Sequence, residues 1–304
     1  MNVYAKYLEL QNFLKSQEIP GIDIVDNKKE CDYMISGSYT SEDYNKNLKG
    51  VIIPYTGHNR INLDDMRKDN LKLFVTPTRS KYVAEKVVAL TLALLGNVIN
   101  YHNLLKKGDW SERNTEKRVP WVSVQHKKIG LFGYGRIGKI VHKMLKNFNC
   151  DFYTIDREKE YNDIKLVKNL NELVEVSDIV IISTPLNIET ENIFDRQLLN
   201  QMENKYLINV GRGKIVNQKA LYEALKEKKL CGYASDVWYN YPKGTELCFP
   251  CEYPIHELDN VVLSNHSGGF TTNTDDEVNQ DIIKQLIRLK NKDYSNQLNL
   301  DKII

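Results

Sequence analysis

The chain has 304 residues, enough for two domains of ordinary size, each with a core of its own. Lys and Arg total 42 against 40 Asp and Glu, a net charge of +2, which gives no broad field for nucleic acid or anionic membrane and leaves a small molecule as the expected partner. Five cysteines make no disulfide framework, and the longest apolar stretch, "VVALTLALLG" at 87–96, falls well short of the ~20 residues a membrane span requires. The N-terminus shows no basic region followed by an apolar stretch and a cleavage site, so a cytoplasmic protein is expected.

Along the first hundred residues, "IDIV", "DYMIS", "GVIIP" and "LKLFVTP" read as strands, and "AKYLELQNFLKSQ" as the clearest helix between them. Such alternation predicts a parallel sheet wrapped by helices. From 81 to 107 one long helical pattern runs without proline, its single glycine at Gly96, and "KGDWSERNTEKRVPWVSVQ" then breaks the regularity. A second alternation follows: "KKIGLFGYGRIGKIVHKMLKNF", "CDFYTID", "DIVIIST", "KYLINVG", "ALYEALKEKKL" and the strand "CGYASDV". The expected fold class is therefore α/β, with two doubly wound parallel-sheet domains. The last helical run, "DDEVNQDIIKQLIRLKNK", is expected to return to the N-terminal domain.

Within the second alternation, Gly133, Gly135 and Gly138 form G-x-G-x-x-G directly after an apolar strand and at the mouth of a helix, with Arg136 and Ile137 inside the turn. The first glycine permits the tight turn, the second lets backbone approach a pyrophosphate, and the third allows close helix packing. Unpaired N–H groups and the helix dipole favour the phosphates. Asp156 closes the next strand about 20 residues on, where a carboxylate accepts from both adenosine ribose hydroxyls and repels a 2'-phosphate, which favours NAD over NADP. The adjacent Arg157 softens that discrimination.

Near the end, "GYASDVWYNYPKG" ends a strand at Asp236 and leads into "ELCFPCEYP", whose Cys248 and Cys251 stand as C-x-x-C. The pair reads as incidental thiols, with a local disulfide or half of a metal site as alternatives, and no metal is expected.

"SDIVIISTPLNIETENIF", "LINVGRGKIVNQKALYEALKEKKLCGYASDVW" and "NVVLSNHSGGFT", together with the V-A-E helix start at Val83, Ala84 and Glu85, resemble the D-isomer-specific 2-hydroxyacid dehydrogenase family. The resemblance covers essentially the whole chain, weakly before Pro77. It implies a flavodoxin-like substrate domain (1–98 plus 277–304), an inserted Rossmann cofactor domain (99–276), an active site in the cleft between them, and a homodimer. Residue by residue, it implies Arg212 as the substrate-binding arginine and His266 as the acid/base. Asp236 would hydrogen-bond the nicotinamide carboxamide, with Thr184, Pro185, Val210 and Gly268 along the cofactor. The chemistry agrees: a guanidinium fork holds and polarises a 2-oxo acid, and an imidazolium supplies the proton that accompanies hydride.

Two departures stand out. The family's glutamate partner of the histidine falls on Tyr241, so His266 is expected to titrate lower than in relatives, unless Glu246, Glu252 or Glu257 substitutes. The family's glycine-rich carboxylate loop reads "PYTGHNRIN", which places Tyr55 and Thr56 at the expected substrate contacts, with His58, Asn59 and Arg60 beyond; Arg79 joins the expected substrate-binding residues, and with Arg60 and His58 reads either as a site for a second anionic group or as solvated surface charge. The leading reading is an NAD-dependent oxidoreductase of a small 2-hydroxy or 2-oxo acid. A dinucleotide-sensing binding protein is the alternative, favoured by Tyr241. Formate-dehydrogenase-like activity is a minor one, because the formate-holding asparagine of those enzymes aligns with Arg79.

Overall fold

The computed structural model describes residues 1–55, 57, 60–113, 120–156, 161 and 163–302. The chain divides into two compact units, Met1–Ser80 with Gly269–Ile304, and Lys81–Gly268. The first begins with β1 (Asn2–Ala5), α1 (Leu8–Ser16), β2 (Asp23–Ile24), β3 (Tyr33–Ile35), β4 (Gly50–Ile53), α2 (Leu63–Lys68) and β5 (Lys72–Val75). The second contains α3 (Ser80–Leu95), α4 (Val98–Leu105), β6 (Lys128–Phe132), α5 (Arg136–Leu145), β7 (Asp151–Ile155), β8 (Lys165–Val167) and α6 (Leu170–Val176). It continues with β9 (Ile179–Ile182), α7 (Arg196–Asn200), β10 (Tyr206–Asn209), α8 (Gln218–Lys226), β11 (Gly232–Ser235) and β12 (Val261–Leu263). The chain then returns to the first unit with α9 (Thr274–Lys290) and β13 (Gln297–Leu298).

In the first unit the strands run in the order β2-β1-β3-β4-β5, all parallel, and β13 adds an antiparallel edge beside β5. This is the flavodoxin-like order. Successive side chains of β3 and β4 face opposite ways, so Tyr33, Ile35 and Ile52 join Val278, Ile282 and Leu286 of α9, while Met34, Val51 and Ile53 join Met66 of α2. Helix α9 carries Asp275, Asp276 and Glu277 in its first turn and Arg288 and Lys290 in its last, charges that complement the helix dipole.

In the second unit the order is β8-β7-β6-β9-β10-β11-β12, again wholly parallel. Two nucleotide-fold halves meet where β6 sits between β7 and β9, the switch point at which ligands bind beyond the strand ends. Strand β9 is buried on both faces: Ile179 and Ile181 pack with Ile129 and Leu131, Val180 and Ile182 with Leu207 and Leu221.

The single helix expected over 81–107 is two. Asn97 adopts the left-handed conformation (φ 53°), and α3 and α4 diverge by 60°. A side chain at Gly96 would stand 2.7 Å from the Leu92 carbonyl, so glycine permits the tight end of α3. Helix α3 belongs to the second unit, because Ala84, Val87, Leu90 and Leu95 pack against Ile129, Leu131 and Ile208 of its sheet. The division of the chain thus falls at 80/81 and 268/269, where the sequence reading set 98/99 and 276/277.

Candidate active site

The dinucleotide loop follows β6. Gly133 has φ +109°, and a Cβ there would meet the Thr184 backbone nitrogen at 2.7 Å. A Cβ on Gly138 would stand 2.3 Å from the Gly133 carbonyl oxygen, so only glycine lets α5 start this close to the strand. A Cβ on Gly135 would meet nothing within 4 Å. That open space lies at the N-cap of α5, in front of its unpaired N–H groups, and fits a pyrophosphate. Arg136 opens the helix on its exposed side and Ile137 packs beside the core.

The other expected cofactor positions lie at the carboxyl ends of neighbouring strands. Asp156 follows β7 and is exposed; Thr184 and Pro185 follow β9; Val210 follows β10. Ser183, which the sequence reading passed over, donates its hydroxyl hydrogen to the Gly133 carbonyl at 2.8 Å and ties the loop after β9 to the first fingerprint glycine. A Cβ on Gly211 would sit 2.6 Å from the Thr184 carbonyl oxygen, so three loops converge at the switch point.

Arg212, Asp236 and His266 stand on the loops after β10, β11 and β12. The Asn209 amide fastens the first of these loops, donating to the Arg212 carbonyl at 2.9 Å and accepting from Gly211 N–H at 3.0 Å. The Arg212 guanidinium donates to the Gly211 carbonyl at 2.7 Å. A Cβ on Gly213 would meet the Trp238 carbonyl oxygen at 2.3 Å, which shows how closely the loops after β10 and β11 approach.

Asp236, 3% exposed, anchors the histidine loop. Its carboxylate accepts from the Ser264 hydroxyl (2.6 Å), Ser267 N–H (3.0 Å) and Gly268 N–H (2.8 Å). Gly268, expected at the cofactor, is part of this clamp: a Cβ on it would sit 2.7 Å from the Asp236 oxygen. The Trp238 indole N–H adds a bond to the Ser264 carbonyl at 2.7 Å. Together they hold His266 in the left-handed conformation (φ 58°), uncommon for a residue with a Cβ. The two serines in "SNHSG" are the sequence signal for this clamp.

Tyr241 lies against the histidine. Their ring centroids are 5.4 Å apart at 48°, and the Tyr241 hydroxyl accepts from Trp238 N–H at 3.0 Å. The His266 pKa lies below the ordinary histidine value. Desolvation of the buried side of the ring is the largest cause; the Asp236 charge opposes it and the Arg212 charge adds to it. Burial raises the Tyr241 phenol, so it stays neutral. The carboxylate acting on His266 is Asp236; Glu246, Glu252 and Glu257 are exposed, and Glu257 lies 3.9 Å from His256 instead.

In the first unit, the Tyr55 hydroxyl donates to the Gly37 carbonyl at 3.3 Å, and Tyr7 accepts from Gly37 N–H at 2.9 Å. The Arg79 guanidinium lies over the Phe270 ring at 4.5 Å and 3.6 Å from Asp275, and its buried Nε has no hydrogen-bond partner among the described residues. Thr56, His58 and Asn59 lie outside the described residues, as does Arg157. Cys248 is exposed and Cys251 buried, both free thiols; no three His, Cys, Asp or Glu side chains group as metal ligands among the described residues.

Residues 88–268 match the model of the D-isomer specific 2-hydroxyacid dehydrogenase NAD-binding domain. A glyoxylate reductase of Thermofilum pendens is 32% identical over 74% of this chain and 67% of its own length. The glyoxylate reductase of Pyrococcus furiosus is 27% identical over 95% of this chain and 88% of its own. Among solved structures, an NAD-dependent formate dehydrogenase from Staphylococcus aureus in complex with NAD superposes with a TM-score of 0.75 at 28% identity, covering 98% of this chain and 99% of that one. The chain belongs to the D-isomer-specific 2-hydroxyacid dehydrogenase family of NAD-dependent oxidoreductases, and its second unit carries the family's NAD-binding domain.

Proposed function

We propose that this enzyme reduces a small 2-oxo acid to the 2-hydroxy acid, with Arg212 binding the substrate and His266 supplying the proton. The observation that carries the reading is the convergence of Arg212, Asp236 and His266 on three successive strand ends of the sheet whose β6 turn is the dinucleotide loop. A nicotinamide cofactor, when bound, would supply the hydride for this reduction. The Arg212 fork holds the carboxylate and draws electron density toward the carbonyl oxygen. His266 delivers a proton from an imidazole nitrogen to that oxygen, held in place by the Asp236 clamp and by the Tyr241 ring. Gly133, Gly135, Arg136, Ile137 and Gly138 would hold the pyrophosphate, Asp156 the ribose with preference for NAD, and Thr184, Pro185 and Val210 would line the dinucleotide. Tyr55, Thr56 and Arg79 select the substrate.

The glyoxylate reductases among the relatives make glyoxylate the first substrate to test. NADH oxidation with glyoxylate, hydroxypyruvate and pyruvate, compared between the wild type and Arg212→Ala or His266→Ala, tests the assignment: saturable turnover lost in both variants supports it. Tyr241 in place of a carboxylate favours a second reading, a dinucleotide sensor without turnover. NADH binding together with no oxidation of NADH by any 2-oxo acid supports that reading.

The enzyme is further proposed to work as a cytoplasmic homodimer. Leu92, Val98, Ile99 and Leu105 on α3 and α4, with Trp110 and Trp121 beyond them, form exposed apolar surface on the second unit, a surface suited to a second copy. Sedimentation of the purified chain decides its oligomeric state.

A further inference from the structure

Tyr134, the residue between the first two fingerprint glycines, turns its side chain back along α5 and meets His142, two turns into the helix, with 2.7 Å between the phenol oxygen and Nδ1. His142 is 6% exposed, and its ring lies 4.3 Å from Phe152 of β7. Tyr134 packs edge-on against Tyr161 with centroids 4.8 Å apart, and the Lys139 ammonium lies 6.0 Å from the Tyr134 ring and 5.6 Å from the Tyr161 ring. The glycine turn is therefore fastened to three neighbours: its own helix through the imidazole, the strand behind it through Phe152, and the segment after β7 through Tyr161. Nothing in the reduction step needs an imidazole buried here.

We propose that Tyr134 and His142 are a positioning pair for the dinucleotide: the phenol donates to neutral His142, and this bond holds the 133–138 turn in its binding geometry. The protonation states follow from the surroundings. The Tyr134 phenol is raised by burial, then by the charges of Tyr161 and Asp163, so it keeps its proton and can donate. Nδ1 must then accept, which places the ring proton on Nε2. His142 is held below the ordinary histidine value by burial and then by the Lys146 ammonium, with Asp163 opposing. Lys146 and Asp163 pair with each other at 2.9 Å, so their effects on the imidazole partly cancel. On protonation the Nδ1–H would donate to the phenol oxygen instead, so the contact keeps its two partners with the direction reversed. The turn it holds is the one whose backbone N–H groups face the pyrophosphate.

The proposal rests on the cofactor reading above, and direct NADH binding separates the two. Titration of the full chain with NADH at about pH 7.5, above the ordinary histidine value, is followed by nicotinamide fluorescence. Tyr134→Phe removes only the hydroxyl and is expected to weaken binding about three- to tenfold, the size of one lost hydrogen bond. His142→Leu removes the acceptor and is expected to weaken binding to the same extent, whereas His142→Asn, whose amide oxygen takes the place of Nδ1, is expected to bind as the wild type does. Melting temperatures without NADH show that the variants are folded. Wild-type affinity in Tyr134→Phe, or an equal loss in His142→Leu and His142→Asn, overturns the positioning pair. Absence of NADH binding by the wild type overturns the cofactor reading itself.

Discussion

The ring of Tyr241 lies 5.4 Å from the ring of His266, and its hydroxyl is occupied by the Trp238 backbone N–H at 3.0 Å. The phenol therefore packs against the histidine without contributing a charge, and desolvation, opposed by Asp236 and reinforced by Arg212, sets the histidine's titration. A neutral partner orients the ring but does little to stabilise imidazolium.

The sign of the pH dependence follows. Reduction needs imidazolium, so its rate falls as pH rises through the His266 pKa, which lies below the usual ~6.5. Oxidation of the hydroxy acid needs neutral imidazole and rises through the same pKa. Tyr241→Glu restores a carboxylate beside the ring and is expected to move both limbs toward alkaline pH. Superimposable rate profiles for Tyr241→Glu and the wild type would remove the charge argument.

Asp236 supports both the loop and the histidine charge. Asp236→Asn keeps the shape but replaces one acceptor oxygen with a donor facing N–H or O–H groups, at a cost on the order of 1–3 kcal/mol. Urea denaturation is expected to show that loss. The His266 pKa is expected to fall further, since the charge that opposes its depression is gone; unchanged stability and an unchanged pH profile would contradict the clamp.

Gly135 and Gly138 are expected to respond oppositely to alanine. Gly138→Ala drives a methyl to 2.3 Å from the Gly133 carbonyl oxygen, so the melting temperature falls and binding is lost with it. Gly135→Ala places the methyl in open space, at φ −81°, so the melting temperature stays near wild type while NADH affinity drops at least tenfold, about 1.4 kcal/mol. Calorimetry with and without NADH separates the two, and equal loss of stability in both would mean that the open space is not the cofactor's.

Arg212→Lys keeps the charge and loses the planar fork. A drop in kcat/KM of about two orders of magnitude for glyoxylate, near 3 kcal/mol, is expected, with NADH affinity little changed. Steady-state kinetics check this; a kcat/KM within twofold of wild type would relieve Arg212 of its role.

Much of this was legible in the sequence because the signals are local. "KKIGLFGYGRIG" carries strand, turn and helix in one stretch, and the doubly buried strands announce a parallel sheet through runs such as "DIVII". The break at Asn97 was not legible, since the apolar pattern continues through it and only the backbone's left-handed turn reveals the 60° bend. Nor was the allegiance of α3, which depends on the sheet that buries Ala84, Val87 and Leu90. The anchoring of His266 joins residues about 30 positions apart, so the sequence marks Asp236 only as a cofactor contact and the fold alone brings its three donors from 264–268 to it. The Tyr134 contact with His142 is closer in sequence, eight residues, yet no pattern rule names it. The residues expected to contact the substrate are the least legible, because "PYTGHNRIN" departs from the family's glycine-rich loop, and part of it lies outside the described residues.

The most direct measurement is the rate of NADH oxidation with saturating glyoxylate across mildly acidic to mildly alkaline pH, for the wild type and for His266→Ala. Turnover strongest on the acid side in the wild type, and reduced by at least two orders of magnitude in the variant, is the expected result. A wild type that binds NADH but turns over no 2-oxo acid at any pH, or a variant as active as the wild type, would contradict the assignment of His266 as the proton donor of a 2-oxo-acid reductase.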